Sequence, residues 1–168
     1  MKFRFVDRIT SWESHARITG LKAVSFEEYS LKNAFGDEAR LPEMLLLESL
    51  LQLGNWLILL STDFQQMGSV IRIDEARFHG ALRPGCVVRM AVAMLRHHAD
   101  GFELSGEGRV DGRLIISGLG CLAAPLTVAD YHDPDDLRVL FSEIYQPSSA
   151  SNPSPGMQVA ASGGIRSA

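Results

Sequence analysis

Residues 40–60 read RLPEMLLLESLLQLGNWLILL, and the reading of this stretch decides the fold. Leu45, Leu46, Leu47, Leu50, Leu51, Leu53, Trp56, Leu57, Ile58 and Leu60 fall on essentially every side of a helix. A helix apolar all round is one that the rest of the protein wraps. Pro42 suits the first helical position and Glu43 the positive N-terminal end. The stretch is nearly long enough to span a bilayer. However, it carries Glu43, Glu48, Gln52 and Asn55 without a basic flank after it, and one central charge alone costs roughly 3 kcal/mol on insertion. A buried helix of a soluble protein is the expectation, with no membrane involved.

The polar exceptions are ordered. Glu48, Gln52 and Asn55 stand at i, i+4 and i+7, which places them on one stripe. A buried carboxylate without partners is costly. On spacing alone two readings stay open: a Glu48 satisfied by Gln52 or by backbone groups, and a carboxyl that holds its proton in an apolar cleft, as a general acid does.

Around this helix the chain reads as strands. FRFVDRIT (3–10) and ARITGLKAVS (16–25) predict two strands joined by a polar turn at residues 12–15. Residues 26–39 predict a loop with a helical turn around SFEEYSL. VIRIDEARFHG is followed by CVVRMAVAMLR, in which Val88, Met90, Val92 and Met94 alternate with Arg89, Ala91 and Ala93. FELSGEGRV places Glu103, Ser105, Glu107 and Arg109 on one face before RLIISGLGCLAA. Asp100-Gly101 and Asp111-Gly112 between alternating runs predict an antiparallel meander. HDPDDLRVLFSEIY predicts a short amphipathic helix with Asp133 as N-cap. From Pro147 the chain is small, polar and rich in Pro and Gly, and a disordered tail is expected over 147–168. Strands, one apolar helix, then more strands make an α+β order. No internal repeat stands out.

At 168 residues with 46% hydrophobic content, the chain is long enough for one domain with a real core. A formal charge of −4 argues against a general nucleic-acid binder. Cys86 and Cys121 sit in apolar runs outside any metal-ligand spacing, so buried free thiols in a reducing compartment are expected. MKFRFVDRIT is too polar for a signal peptide, and a cytoplasmic location is expected by default.

The order of FVDRIT, LPEMLLLESLLQ and ARFHGALRPG resembles that of the hotdog-fold (3R)-hydroxyacyl-acyl-carrier-protein dehydratases of fatty acid synthesis. There a VDR strand start leads to a loop of the form HFPGxPxMPG, then a buried helix close to LILEALAQ, then a strand ending in a PVxPGD turn. Val6-Asp7-Arg8, Leu41-Pro42, Leu45-Leu46-Leu47-Glu48, Gln52, Ala76-Arg77-Phe78 and Pro84-Gly85 occupy the matching places. The likeness covers residues 4–125 and needs no gap between Val6 and Gln52.

The resemblance implies a hotdog fold, an antiparallel sheet wrapped around the long central helix. The domain would span residues 1–146, and a dimer would continue the sheet across its interface. It also implies an active site at that interface. A loop histidine of one subunit removes the C2 proton of a 3-hydroxyacyl thioester, and a carboxyl from the partner's helix helps the 3-hydroxyl leave as water. Neither cofactor nor metal is implied. Glu48 falls on the acidic position and Ala34 on the histidine position. Phe35, Leu41, Pro42, Gln52 and Phe78 fall along the substrate tunnel. Arg77 and Arg83 would meet an acidic carrier or a phosphate at its mouth, although arginines of a solvated surface look the same in sequence.

Losing a general base costs about 10²–10⁴ in rate. His15, His79, His97, His98 and His132 read as surface residues, with His79 the best placed to substitute. Three functions follow as alternatives. The first is an acyl-thioester-binding protein, or an atypical dehydratase, acting on acyl carrier protein or coenzyme A thioesters. The second is a half-catalytic subunit paired with a histidine-bearing paralogue. The third is a thioesterase using Glu48 to activate water. Homodimer and heterodimer remain open.

Overall fold

A computed structural model of the chain describes residues 4–25, 40–98 and 100–147. The expected loop over 26–39, which includes Ala34 and Phe35, and the expected tail beyond 147 lie outside these residues. Six strands form one antiparallel sheet: β1 (Arg8–Glu13), β2 (Arg17–Ala23), β3 (Gln66–Phe78), β4 (Val87–His98), β5 (Gly101–Val110) and β6 (Arg113–Thr127). Their order across the sheet is β1-β2-β4-β5-β6-β3. Helix α1 (Glu43–Ser61) lies in the concave face, which is the hotdog arrangement, and α2 (Pro134–Ile144) follows a 3₁₀ turn at Val128–Asp130.

The core is the inner face of the sheet against α1. Val88, Met90, Val92 and Met94 of β4 are all buried, as their alternation requires. Leu53 and Leu57 of α1 are fully buried in the same core, and Ser49, also fully buried, returns its hydroxyl to Leu45 O at 2.8 Å. The helix reaches the sheet because β2 carries Gly20. A Cβ there would stand 2.7 Å from Arg8 O and 3.0 Å from the Leu53 side chain. The apolar length of α1 is thus explained by core packing rather than by lipid.

Four details differ from the sequence reading. β1 begins at Arg8 and runs to Glu13, so the turn to β2 falls on residues 14–16, with His15 at φ 56°. The β4–β5 turn closes between His98 and Gly101, which pair with each other. Gly101 is therefore a strand residue, and it is glycine because a Cβ would stand 2.7 Å from Ala123 O. Cys86 is half-buried in the turn before β4, whereas Cys121 is buried on β6. Nor is α1 wrapped on every side: Met44 is 66% exposed, and Glu48, Leu51 and Asn55 are half-buried, which leaves one open stripe. By contrast, Asp111 (φ 49°) and Gly112 (φ 81°) make the hairpin turn their dipeptide predicts. Asp133 caps α2 by accepting from Asp135 N at 2.9 Å.

The two sheet edges are treated differently. Beside β1, Tyr145 bridges Ile9, and Gln146 N donates to Ile9 O at 2.9 Å. On β3 the outer edge is unpaired among the described residues, and Ile71, at a register shift between Val70 and Arg72, is 62% exposed.

Candidate active site

Glu48 stands on the open stripe of α1, in the turn of helix that also carries Leu47, Leu50 and Leu51. Its Oε1 accepts from Gln52 Nε2 at 2.9 Å. Gln52 is buried, at 8% exposure, and its Oε1 accepts the backbone N–H of Phe5 at 2.9 Å. A backbone N–H can only donate, so it settles which end of the Gln52 amide faces it and leaves Nε2 to face Glu48. Of the two readings left open by spacing, the Gln52 partner is therefore present. Only one carboxyl oxygen, Oε1, is used by it. Asn55 belongs to the same stripe but turns elsewhere, with Oδ1 accepting Gly68 N at 2.7 Å.

Beside this turn lies an apolar crevice of about 20 Å³, room for one water-sized body. Leu47, Leu50 and Leu51 line it from the helix, with Val92, Leu104, Ser105, Gly106, Gly118 and Cys121 from the sheet. Burial, and behind it the Asp74 carboxylate, pushes the Cys121 thiol up, so it is a protonated wall rather than a nucleophile.

The remaining candidates are scattered. Leu41 is buried and bridges Leu82, with Leu41 N donating to Leu82 O at 2.9 Å. Pro42 is the residue before the first turn of α1, and Phe78 ends β3 opposite Ile116. Neither these three, nor Gln52, nor Glu48 itself lines the crevice. Arg77 is exposed and pairs with Glu75 at 2.7 Å. Arg83 is exposed, and its carbonyl accepts from Cys86 Sγ at 3.0 Å. Ala34 and Phe35 lie outside the described residues.

None of the histidines hydrogen-bonds Glu48 within the chain. His15 stacks on His97 at 5.2 Å, and His97 on Phe102 at 4.7 Å. His15 N also donates to Ser61 Oγ at 2.9 Å, at the far end of α1. From Glu48 to Ser61 the helix rises about 20 Å. His98 sits at the β4–β5 turn, and His132 N bonds Val128 O at 2.8 Å. His79, just past β3, faces Ser117 Oγ at 3.4 Å.

Two residues went unread in the sequence, Phe5 and Lys22. Lys22 is 3% exposed on the inner face of β2, and its parity with Ile18 was the signal that it points inward.

This arrangement has relatives. A model of the FabA-like domain matches residues 1–118. The chain belongs to the FabA-like domain family. The 3-hydroxyacyl-[acyl-carrier-protein] dehydratase FabZ of Caulobacter vibrioides is 32% identical to it over 115 residues, 67% of this chain and 72% of that one. Among solved structures, a hot-dog-like protein from Thermanaerovibrio acidaminovorans superposes with a TM-score of 0.58 at 15% identity, covering 77% of this chain and 91% of that one. A hypothetical thioesterase from Streptococcus pneumoniae TIGR4, solved with coenzyme A, does so with a TM-score of 0.57 at 11% identity, covering 71% and 85%. At such identities the two structures speak for the fold. The FabA-like match ends within β6, so the second half of that strand and α2 lie beyond it.

Proposed function

We propose that this FabA-like domain binds acyl thioesters of acyl carrier protein or coenzyme A as one half of a dehydratase-type site, with Glu48 as its acid. The observation that carries this reading is the Glu48 carboxyl on the partly open face of α1, its Oε1 held by Gln52 and its Oε2 left to work. In a 3-hydroxyacyl thioester, a base takes the C2 proton and the bond from C3 to the hydroxyl breaks. Oε2–H then gives its proton to the departing oxygen, which leaves as water. The products are a 2-enoyl thioester, a protonated base and a Glu48 carboxylate.

Among the described residues no histidine hydrogen-bonds Glu48, so in this reading the base is supplied from elsewhere. Ala34, at the matching position, has only a methyl group, and that position supports a heterodimer in which a related hotdog subunit brings the imidazole. The unpaired edge of β3 is where a second hotdog sheet would continue this one, since an exposed edge with Ile71 on it needs covering.

The test is incubation of the protein with a 3-hydroxyacyl-carrier thioester, alone, as Ala34→His, and mixed with a histidine-bearing dehydratase subunit. Binding without enoyl product is expected for the protein alone. Enoyl formation raised by about 10²–10⁴ is expected when the imidazole is supplied by either route. No binding of carrier or coenzyme A thioesters in any arm would sink the proposal. Release of free thiol abolished by Glu48→Ala would replace it with a thioesterase.

A further inference from the structure

Lys22 is buried where the strand pattern calls for an apolar side chain. It shares the inner face of β2 with Ile18, which is fully buried, and Gly20, against which Leu53 packs. Its partner across the ladder on β4 is Val88, also fully buried. An ammonium in such a place forfeits its hydration and is kept only where specific contacts hold it. One of its contacts leads toward the candidate acid. Nζ donates to Ala23 O at 2.9 Å and lies 5.9 Å from the centre of the Phe5 ring, within the range at which a cation is drawn to an aromatic face. Phe5 in turn is the residue whose N–H orients Gln52, and Gln52 is the residue that holds Glu48.

We infer that Lys22 is a positioning residue for Glu48, acting through Phe5 and Gln52. The buried cation pins the Phe5 ring and keeps the segment before β1 against α1. The Phe5 N–H then selects one orientation of the Gln52 amide, and Nε2 fixes Oε1 as the acceptor. The transferable proton is thereby confined to Oε2. Without the anchor, Phe5 N–H is free to leave Gln52, whose amide can then turn and present either end to the carboxyl. This rests on the reading of Glu48 as the acid and adds a requirement that the reading itself does not contain.

The decisive measurement needs no turnover. In the full chain labelled with ¹³C and ¹⁵N, the Gln52 side-chain amide and the Glu48 carboxyl carbon report the array directly. Lys22→Met fills the same volume without the charge. It is expected to shift both signals and to speed exchange of the Phe5 amide proton at least tenfold, and Lys22→Arg is expected to restore them in part. Phe5→Leu keeps Lys22 and removes the ring, so it decides the matter even if Lys22→Met does not fold. It is expected to shift the same signals in the same direction. Unchanged Gln52 and Glu48 signals in whichever of these variants folds overturn the inference.

Where the assembled site turns over a 3-hydroxyacyl thioester, Lys22→Met should lower kcat about tenfold at unchanged KM. With Gln52→Leu added, the double variant should lose no more than the worse single one, as members of one chain do. Equal kcat in Lys22→Met and wild type with the signals shifted also overturns it. A wild-type site that has been supplied with the imidazole and still shows no turnover defeats the proposed function instead, and the spectra still decide the role of Lys22.

Discussion

At its C-terminal end α1 is sealed by aromatic rings, whereas its N-terminal half keeps a carboxyl, an amide and a half-open apolar stripe. Phe141 of α2 gathers the seal, meeting Trp56 at 6.0 Å, Phe64 at 6.4 Å, Trp12 at 6.5 Å and Tyr145 at 5.0 Å. Arg138 lies 4.9 Å over the Phe64 ring and bonds Asp63 at 3.1 Å. At the other end Met44 is 66% exposed, and Glu48 is held by a polar contact from Gln52, which in turn accepts from Phe5 N. One end of the same helix thus concentrates packing energy, and the other spends burial on groups that packing alone would not select. Stability and chemistry should therefore separate along one element.

The strongest challenge to that separation comes from the sealed end. Trp56→Ala removes a buried ring that packs on Phe141, and a loss of about 3–5 kcal/mol is expected, read as a fall in the urea midpoint at unchanged slope. Binding of an acyl thioester by the fraction that stays folded should be unaltered. A loss of that affinity comparable to the loss of stability would show that the two ends are not independent.

Glu48→Gln asks the converse. The new amide still offers an oxygen to Gln52 Nε2, so stability should stay within about 0.5 kcal/mol. Enoyl formation by the assembled site should fall by about 10²–10⁴. A large loss of stability without loss of turnover would make Glu48 a structural residue.

What the sequence disclosed follows the same division. The helix, the β4 alternation, the Asp111-Gly112 turn and the Asp133 cap depend on neighbours in the chain, and their residues announce them. The start of β1 and the place of Gly101 depend on partners far away, namely Leu21 of β2 and the carbonyl of Ala123. No local pattern encodes these. At the site, the stripe of Glu48, Gln52 and Asn55 was legible as a stripe, but not that its members diverge. Gln52 turns to Phe5 and Asn55 to Gly68, each separated in sequence by a stretch that helical periodicity cannot bridge. The open side of the helix was hidden because ten apolar residues in the sequence look the same whether covered by this chain or by something else.

A smaller effect probes how the seal is held. Asp133 accepts from Asp135 N at 2.9 Å and starts α2, the helix that delivers Phe141. Asp133→Ala is expected to cost about 1 kcal/mol, seen in thermal melts, with hydrogen exchange faster in α2 and unchanged around Gln52. Faster exchange at both places would join the two ends through the sheet.

The smallest expected effect is a slope, and it belongs to the apolar crevice between α1 and the sheet. Burial, then the Asp74 carboxylate, raises the Cys121 thiol above its ordinary value of 9.0. The unfolded chain thus gives up this proton at lower pH than the folded one. Its contribution to stability is complete below the unfolded value and is lost as pH rises through the folded one. Urea titrations from neutral to strongly alkaline pH should therefore show stability falling above about pH 9. Cys121→Ala should flatten that fall without abolishing it, because burial also raises the half-buried Cys86 thiol. An unchanged slope in Cys121→Ala would mean that water reaches the thiol freely, and the crevice between α1 and β6 would then be open in solution.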